Sequence, residues 1–128
     1  MKNKIQYIME EETKISVRIG NSVVDAVLYN NETARAFASM LPITLTMSDY
    51  EDSEKGGELP GNLPVCEELK GHDPLLGDIV YYAPCGCLSI FFRDDGYSTD
   101  LVGIGKVTGN LAPIHKAENM EISFMCAN

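Results

Sequence analysis

The strongest constraint on the fold lies near the start of the chain, where apolar and polar residues alternate. In Lys14–Ile19 every second residue is apolar: Ile15, Val17 and Ile19. Alternation with period two predicts a β-strand with one buried face and one face in water. Gly20-Asn21 follows, a pair able to adopt the positive φ angles of a two-residue turn, and Ser22–Tyr29 is rich in β-branched and apolar residues. The segment therefore predicts a β-hairpin.

One clear helix is predicted at about residues 31–41. Asn30-Asn31 offers a side-chain oxygen as N-cap, and Glu32 lies where the helix dipole favours a negative charge. Pro42 ends the helix, because proline disfavours helical angles in the residue before it. Apolar residues recur at the spacing of one helical face: Ala34, Phe37, Ala38 and Leu41. We expect this face to pack against residues that include Val17, Ile90 and Ile104.

Several short strands are predicted in the rest of the chain, with a short second helical segment at about 111–116. The predicted strands are Ile43–Met47, Ile79–Ala83, Leu88–Phe92, Leu101–Val107 and Met120–Met125. Short strands joined by tight turns, with one clear helix, favour a mainly β fold built as an antiparallel barrel. A chain of 128 residues is long enough to bury one core, so we expect a single domain, 1–128, preceded by an N-terminal extension, 1–12.

Residues 48–78 differ in composition from their surroundings. Five acidic residues lie within 49–58 around Gly56-Gly57, and prolines and glycines follow. This composition predicts a long irregular loop, with 49–58 as a solvated and mobile lid. Calcium binding by its carboxylates is a weaker alternative, because the regular ligand spacing of a calcium loop is missing.

The overall charge limits the partners of this chain. Ten basic and nineteen acidic residues give a formal net charge of −9, which repels nucleic acid and anionic lipid. No apolar run approaches the roughly 18 residues of a membrane span. A secretory signal is not recognisable at the N-terminus, so we expect a cytoplasmic protein. We expect neither nucleic acid nor a membrane as partner.

The four cysteines suggest a metal site at first sight. Cys85-Gly86-Cys87, with Cys66, Cys126, His72 and His115, offers enough ligands for zinc. Structural zinc, however, usually uses two cysteine pairs with longer spacing, and only one short pair is present. We therefore expect no metal and no cofactor, and cysteines that are mostly reduced. A redox pair formed by the neighbouring thiols Cys85 and Cys87 is an alternative, but their spacing is expected to strain a disulfide. Both histidines are expected in solvated loops.

Several stretches, taken in order, resemble the cyclophilins. Thr33–Leu41 looks like their first helix, and Ser89-Ile90-Phe91-Phe92 followed by Val102–Val107 is similar to two of their strands. More closely, Leu41–Met47 and Gly77–Tyr82 resemble segments of small bacterial cyclophilin-like proteins. The resemblance implies a closed eight-stranded antiparallel β-barrel capped by helices. It implies no well-defined shared function.

The chain departs from the prolyl isomerases of this fold at their active site. Their strand after the first helix carries an arginine, whereas Ile43–Met47 has no cation, and the tryptophan of the isomerases has no counterpart. Only Phe92 matches the isomerase site residue for residue. We therefore assign no catalytic residue and expect non-catalytic binding of a small ligand or peptide. A weak or altered isomerase is the alternative, and a structural or oligomerisation module is a third hypothesis.

The expected ligand site is a pocket on the side of the barrel, between Thr46, Phe92 and the loop 93–100. Its candidate binding residues are Thr44, Thr46, Phe92, Arg93, Tyr97 and Asp100.

Overall fold

Eight antiparallel strands close into a barrel in a computed structural model, which describes residues 12–50, 54–116 and 120–127. Within these ranges the strands are β1 (Thr13–Ile19), β2 (Ser22–Leu28), β3 (Ile43–Tyr50), β4 (Glu54–Glu58), β5 (Asp78–Tyr82), β6 (Cys87–Phe91), β7 (Leu101–Val107) and β8 (Met120–Cys126). Around the barrel they follow the order β1-β2-β7-β5-β6-β4-β3-β8, and β8 closes the sheet by pairing with β1 and β3. The predicted mainly β, closed eight-stranded barrel is confirmed.

The first two strands form the hairpin that the alternation predicts. Val17 lies opposite Val24, and Ile19 lies opposite Ser22 across a turn in which Gly20 has a φ of 58°. Ile15, Val17 and Ile19 are buried, as their period predicts. The alternating face therefore forms part of the barrel interior.

The helix α1 (Glu32–Ala38) covers one side of this interior. Its N-cap is Asn31, whose side-chain oxygen accepts a hydrogen bond from the Ala34 backbone at 2.8 Å. Ala34 and Phe37 are fully buried in the core that also holds Val17, Ile90 and Ile104, as predicted, while Leu41 is half-buried. The helix is shorter than the predicted 31–41, because Ser39 already caps its C-terminal end.

A second short helix, α2 (Ala112–Lys116), lies within the predicted segment 111–116 and buries Ile114. None of the helices in the described ranges has the length and apolar character that a membrane span requires.

The prediction that 48–78 is irregular throughout is wrong for its first part. β3 continues to Tyr50, and β4 pairs with both β3 and β6, so the stretch predicted as a lid supplies part of the barrel wall. Of the lid itself, residues 51–53 lie outside the described residues. The remainder of 48–78, residues 59–77, contains a 3-10 turn at Glu67–Leu69 and an isolated β-bridge from His72 to Ser98, and is otherwise irregular, as predicted. The predicted N-terminal extension lies outside the described residues except for Glu12.

Two unusual residues fill the inner side of β4. Lys55 is fully buried, with its ammonium at 2.5 Å from an Asp49 carboxylate oxygen and 5.9 Å from the centre of the Phe92 ring. At Gly57 an added β-carbon would lie 2.7 Å from the Thr46 carbonyl oxygen, so only glycine allows β3 and β4 to approach this closely. Neither residue is apolar, which explains why the strand has no recognisable alternation.

Candidate functional site

A groove of about 580 Å³ lies on the outer face of the barrel. Along β3, Leu45 and Met47 are buried inside the barrel, so Thr46 and Ser48 face outwards into the groove. The residues that line it come from β3, β4, β5, β6, β7 and the two turns beside them: Thr46, Ser48, Glu54, Gly56, Gly57, Glu58, Tyr82, Cys85, Cys87, Ser89, Asp95, Phe91, Ser98 and Leu101. Its volume lies in the range typical of small-molecule sites, roughly 300–1,000 Å³.

The floor of the groove is kept low by two small residues on neighbouring strands. Gly56 of β4 pairs with Ser89 of β6, and a β-carbon at Gly56 would lie 3.2 Å from the Ser89 hydroxyl oxygen. A larger side chain at either position would occupy the space above the sheet. The depth of the groove therefore depends on this pair.

One wall of the groove is apolar. Val80, Phe91 and Leu101 form a small buried cluster with Tyr82 packed beside it, separate from the main core inside the barrel. Phe91 and Leu101 both line the groove. Apolar side chains that contact a groove favour a ligand with an apolar part of its own.

The charged residues that line the groove are all acidic. Glu54 and Glu58 project from β4, and Asp95 lies in the loop after β6. Lys55 lies between the two glutamates in sequence, but it is buried on the opposite side of the strand. Among the described lining residues there is no lysine or arginine, so the groove has a negative potential.

The turn between β5 and β6 brings two cysteines to the rim of the groove. Gly86 has a φ of 69°, and this left-handed conformation helps to hold the Cα atoms of Cys85 and Cys87 5.3 Å apart, within the usual range for disulfides. The two residues are disulfide-bonded, so the expectation of reduced thiols is wrong for this pair. Cys66 and Cys126 are free thiols.

Of the six predicted binding residues, Thr46 lines the groove. Thr44 projects from the same side of β3, exposed, with its hydroxyl 2.8 Å from that of Ser123. Arg93 and Tyr97 are exposed in the loop after β6, and Asp100 is exposed with its backbone N–H donating to the Ser98 hydroxyl. These four residues lie beside the groove and do not line it.

Phe92 does not line the groove, whereas the preceding residue, Phe91, does. β6 ends at Phe91, which is the outward-facing residue, whereas the ring of Phe92 stacks on that of His115 with centroids 4.4 Å apart. Strand alternation places neighbouring residues on opposite sides of a sheet, so Phe91 faces the groove where Phe92 was expected. Sequence reasoning did not assign Phe91, Glu54, Glu58, Asp95 or the two cysteines to the site. The acidic composition of 49–58, the expected loop 93–100 and the Cys85-Gly86-Cys87 turn were the signals that pointed towards all of them except Phe91.

The expectation that both histidines are solvated loop residues holds only in part: His115 is exposed but lies in α2, and His72 lies in a loop but is half-buried. His115 belongs to α2 and stacks on Phe92. The Nε2 atom of His72 lies 2.8 Å from an Asp78 carboxylate oxygen that also accepts a hydrogen bond from the Leu75 backbone. Among the described residues, no three histidine, cysteine or acidic side chains are grouped as metal ligands.

The segment around His72 fixes the loop that borders the groove. The backbones of His72 and Ser98 exchange two hydrogen bonds, of 3.0 and 2.9 Å, and the Gly71 N–H donates to the Leu101 carbonyl. Asp78, the partner of His72, also acts on Tyr29: burial raises the pKa of Tyr29, and the Asp78 and Glu12 carboxylates raise it further. The rim formed by Ser98 is thus tied to β7.

Comparisons with known proteins agree with this architecture. The solution structure of the hypothetical protein AF2241 from Archaeoglobus fulgidus is similar to this fold, with a TM-score of 0.68 and 22% sequence identity over 91% of this chain and 95% of that one. No curated protein matches the sequence. A sequence profile of the Cyclophilin-like family matches residues 17–125. Since that match spans most of the sequence, the chain belongs to the Cyclophilin-like family.

Proposed function

We propose that the groove binds, without catalysis, a ligand that carries a positive charge next to an apolar group, such as an extended basic peptide. The observation that carries this proposal is the composition of the lining: Glu54, Glu58 and Asp95 provide charge, and Phe91 and Leu101 provide an apolar wall. A cationic ligand gains from the negative potential in this partly enclosed space, and its apolar part removes surface from water.

Prolyl isomerisation receives less support from the same lining. Rotation about a prolyl bond has a barrier of about 18–20 kcal/mol, and lowering it needs a hydrogen-bond donor near the prolyl nitrogen. The described lining residues include no arginine or lysine for this role. Binding is therefore the function proposed, since a shared fold does not carry a shared activity.

The proposal is tested by calorimetry with two capped pentapeptides, Leu-Lys-Ala-Lys-Leu and its glutamate counterpart Leu-Glu-Ala-Glu-Leu. We expect the lysine peptide to bind and the glutamate peptide to bind much more weakly. The variant Glu54→Gln/Glu58→Gln is expected to weaken lysine-peptide binding by about three- to tenfold. The control variant Glu67→Gln/Glu68→Gln removes the same charge outside the groove lining and is expected to bind as the parent does.

Equal affinity for both peptides, or equal effects of the two variants, would contradict the proposal. A prolyl-isomerase assay on a proline peptide provides the second check. Turnover clearly above the uncatalysed rate would replace binding by catalysis as the function of the groove.

A further inference from the structure

The Cys85–Cys87 disulfide lies at the rim of the groove, where a ligand reaches it. Both residues line the groove, Cys85 exposed and Cys87 half-buried at the start of β6. Neither the barrel core nor the described strand pairing depends on this bond, because hydrogen bonds already close the turn. The Gly86 N–H donates to the Tyr82 carbonyl, and the Gly86 carbonyl accepts from the Leu59 N–H, both at 3.0 Å.

We propose that Cys85 and Cys87 form a redox-active pair, which exchanges with a positively charged thiol bound in the groove. The charge preference rests on the proposed function, since it comes from the same carboxylates. The thiol is either a small amine thiol or a cysteine flanked by basic residues in a peptide.

The exchange consists of two displacement steps. The ligand thiolate attacks the exposed Cys85 sulfur, a bond forms between the two sulfurs, and the Cys85–Cys87 bond breaks. Cys87 leaves with the electron pair as a thiolate and takes a proton from water. A second ligand thiolate then attacks the ligand sulfur of the mixed disulfide, and Cys85 leaves in the same way. Two ligand thiols are oxidised to one disulfide, and the protein disulfide is reduced to two thiols, once per molecule.

The geometry of the turn keeps the pair able to react in both directions. One residue separates the cysteines, and the Gly86 hydrogen bonds do not involve the sulfurs. The reduced thiols therefore stay near each other, which makes closure of the ring an intramolecular step. In a mixed disulfide with the ligand, the Cys87 thiolate is held close to the sulfur that it must attack.

The acidic lining determines which thiols react. Glu54, Glu58 and Asp95 attract a cationic thiol and repel an anionic one. They also disfavour a new thiolate at Cys87, and a bound ammonium group offsets this repulsion. Both the attraction in the groove and the offset of this repulsion favour a positively charged thiol as substrate.

The test uses the variant Cys66→Ser/Cys126→Ser, in which only the proposed pair remains. The variant is reduced separately with cysteamine, 2-mercaptoethanol and 3-mercaptopropionate, whose charges are positive, neutral and negative. The reduced fraction is measured over time by acid quenching and mass spectrometry. Rates are expressed per thiolate and divided by the rate of the same thiol with a neutral model disulfide, because the three thiols differ in acidity and in the nucleophilicity of their thiolates. We expect cysteamine to react about tenfold faster than 3-mercaptopropionate, and the difference to shrink in high salt and in the added variant Glu54→Gln/Glu58→Gln.

Two single-cysteine variants identify the attacked sulfur. Added to Cys66→Ser/Cys126→Ser, the substitution Cys87→Ser leaves Cys85 as the single cysteine, and Cys85→Ser leaves Cys87 as the single cysteine. We expect the first to form a mixed disulfide with cystamine faster than the second, because Cys85 is the more exposed residue. Thermal melting of both variants checks that they are folded.

Three results would overturn the inference: thiols at Cys85 and Cys87 that stay reduced in the presence of cystamine, equal normalised rates for the three probes, or preferred reaction at Cys87. If the lysine peptide binds while cysteamine does not react, this inference alone fails. If the peptide does not bind, the proposed function fails, whatever the cysteines do.

Discussion

His72 lies directly over Gly103 of β7, so closely that a β-carbon on Gly103 would come within 2.8 Å of the imidazole ring. The missing side chain is what allows the His72–Ser98 backbone pair to lie against the barrel. Gly103→Ala is therefore expected to displace the imidazole and to lower the free energy of unfolding by about 1–3 kcal/mol. Urea unfolding measures this loss.

Gly61→Ala is the matched control for this substitution. A β-carbon at Gly61 would meet nothing within 4 Å, and its φ is not positive. We expect its unfolding curve to match that of the parent. If both alanine variants are equally stable, the packing of His72 on β7 is not as described.

Phe37 connects α1 to the barrel interior. Its ring is fully buried and meets that of Phe124 edge-on, with centroids 5.6 Å apart. Phe37→Ala should lower the free energy of unfolding by about 3–5 kcal/mol, because it removes buried contacts and leaves a cavity. Val23→Ala, at an exposed position, is expected to have little effect on the melting temperature. An unchanged melting temperature in Phe37→Ala would contradict the position of the helix.

Adjacent glycines in β4 are expected to respond differently to the same substitution. A β-carbon at Gly57 would overlap the Thr46 carbonyl and the Met47 side chain, whereas one at Gly56 would meet only the Ser89 hydroxyl tightly. Gly57→Ala should therefore destabilise the barrel, as measured by thermal melting. Gly56→Ala should leave stability near that of the parent and weaken binding of the lysine peptide, because the new methyl group enters the groove. If Gly56→Ala destabilises the barrel and Gly57→Ala does not, the assignment of Gly56 to the groove side of β4 is wrong.

Tyr29 is expected to make the protein less stable in alkali. Its pKa lies above the ordinary value of 10.0, because burial and then the Asp78 and Glu12 carboxylates disfavour the phenolate. The unfolded chain thus loses the phenolic proton first, so this contribution to stability is complete below about pH 10 and is lost as pH rises through the higher folded pKa. Melting temperatures from about pH 9 to about pH 11 should fall more steeply in the parent than in Tyr29→Phe. If the melting temperatures of the two proteins fall in parallel with pH, the raised pKa of Tyr29 is contradicted.

Turns and helix caps were predicted correctly from the sequence, because they depend on interactions between residues close together in the chain. The Gly20-Asn21 turn and the Asn31 cap act within a few residues of themselves, and both are where the sequence indicated. β4 was not predicted, because its inner side is filled by a lysine and a glycine. Its strand conformation comes from pairing with Ser48–Tyr50, the part of β3 beyond the predicted strand, and with β6, which lies far along the chain.

The groove was only partly predictable for the same reason. Its lining comes from five strands, and whether Phe91 or Phe92 faces it depends on where β6 ends. A shift of one residue in that boundary exchanges the two rings. The left-handed turn at Gly86, which brings Cys85 and Cys87 together, likewise follows from the hairpin between β5 and β6.

The two faces of β6 belong to different apolar clusters, and this division has an evolutionary consequence. Ile90 lies in the barrel core, while Phe91 and Leu101 belong to the small cluster beside the groove. Because the two clusters pack separately, a change of side chain in the groove wall leaves the contacts within the barrel core in place. Relatives with the same barrel are therefore able to diverge in what they bind while their cores stay alike.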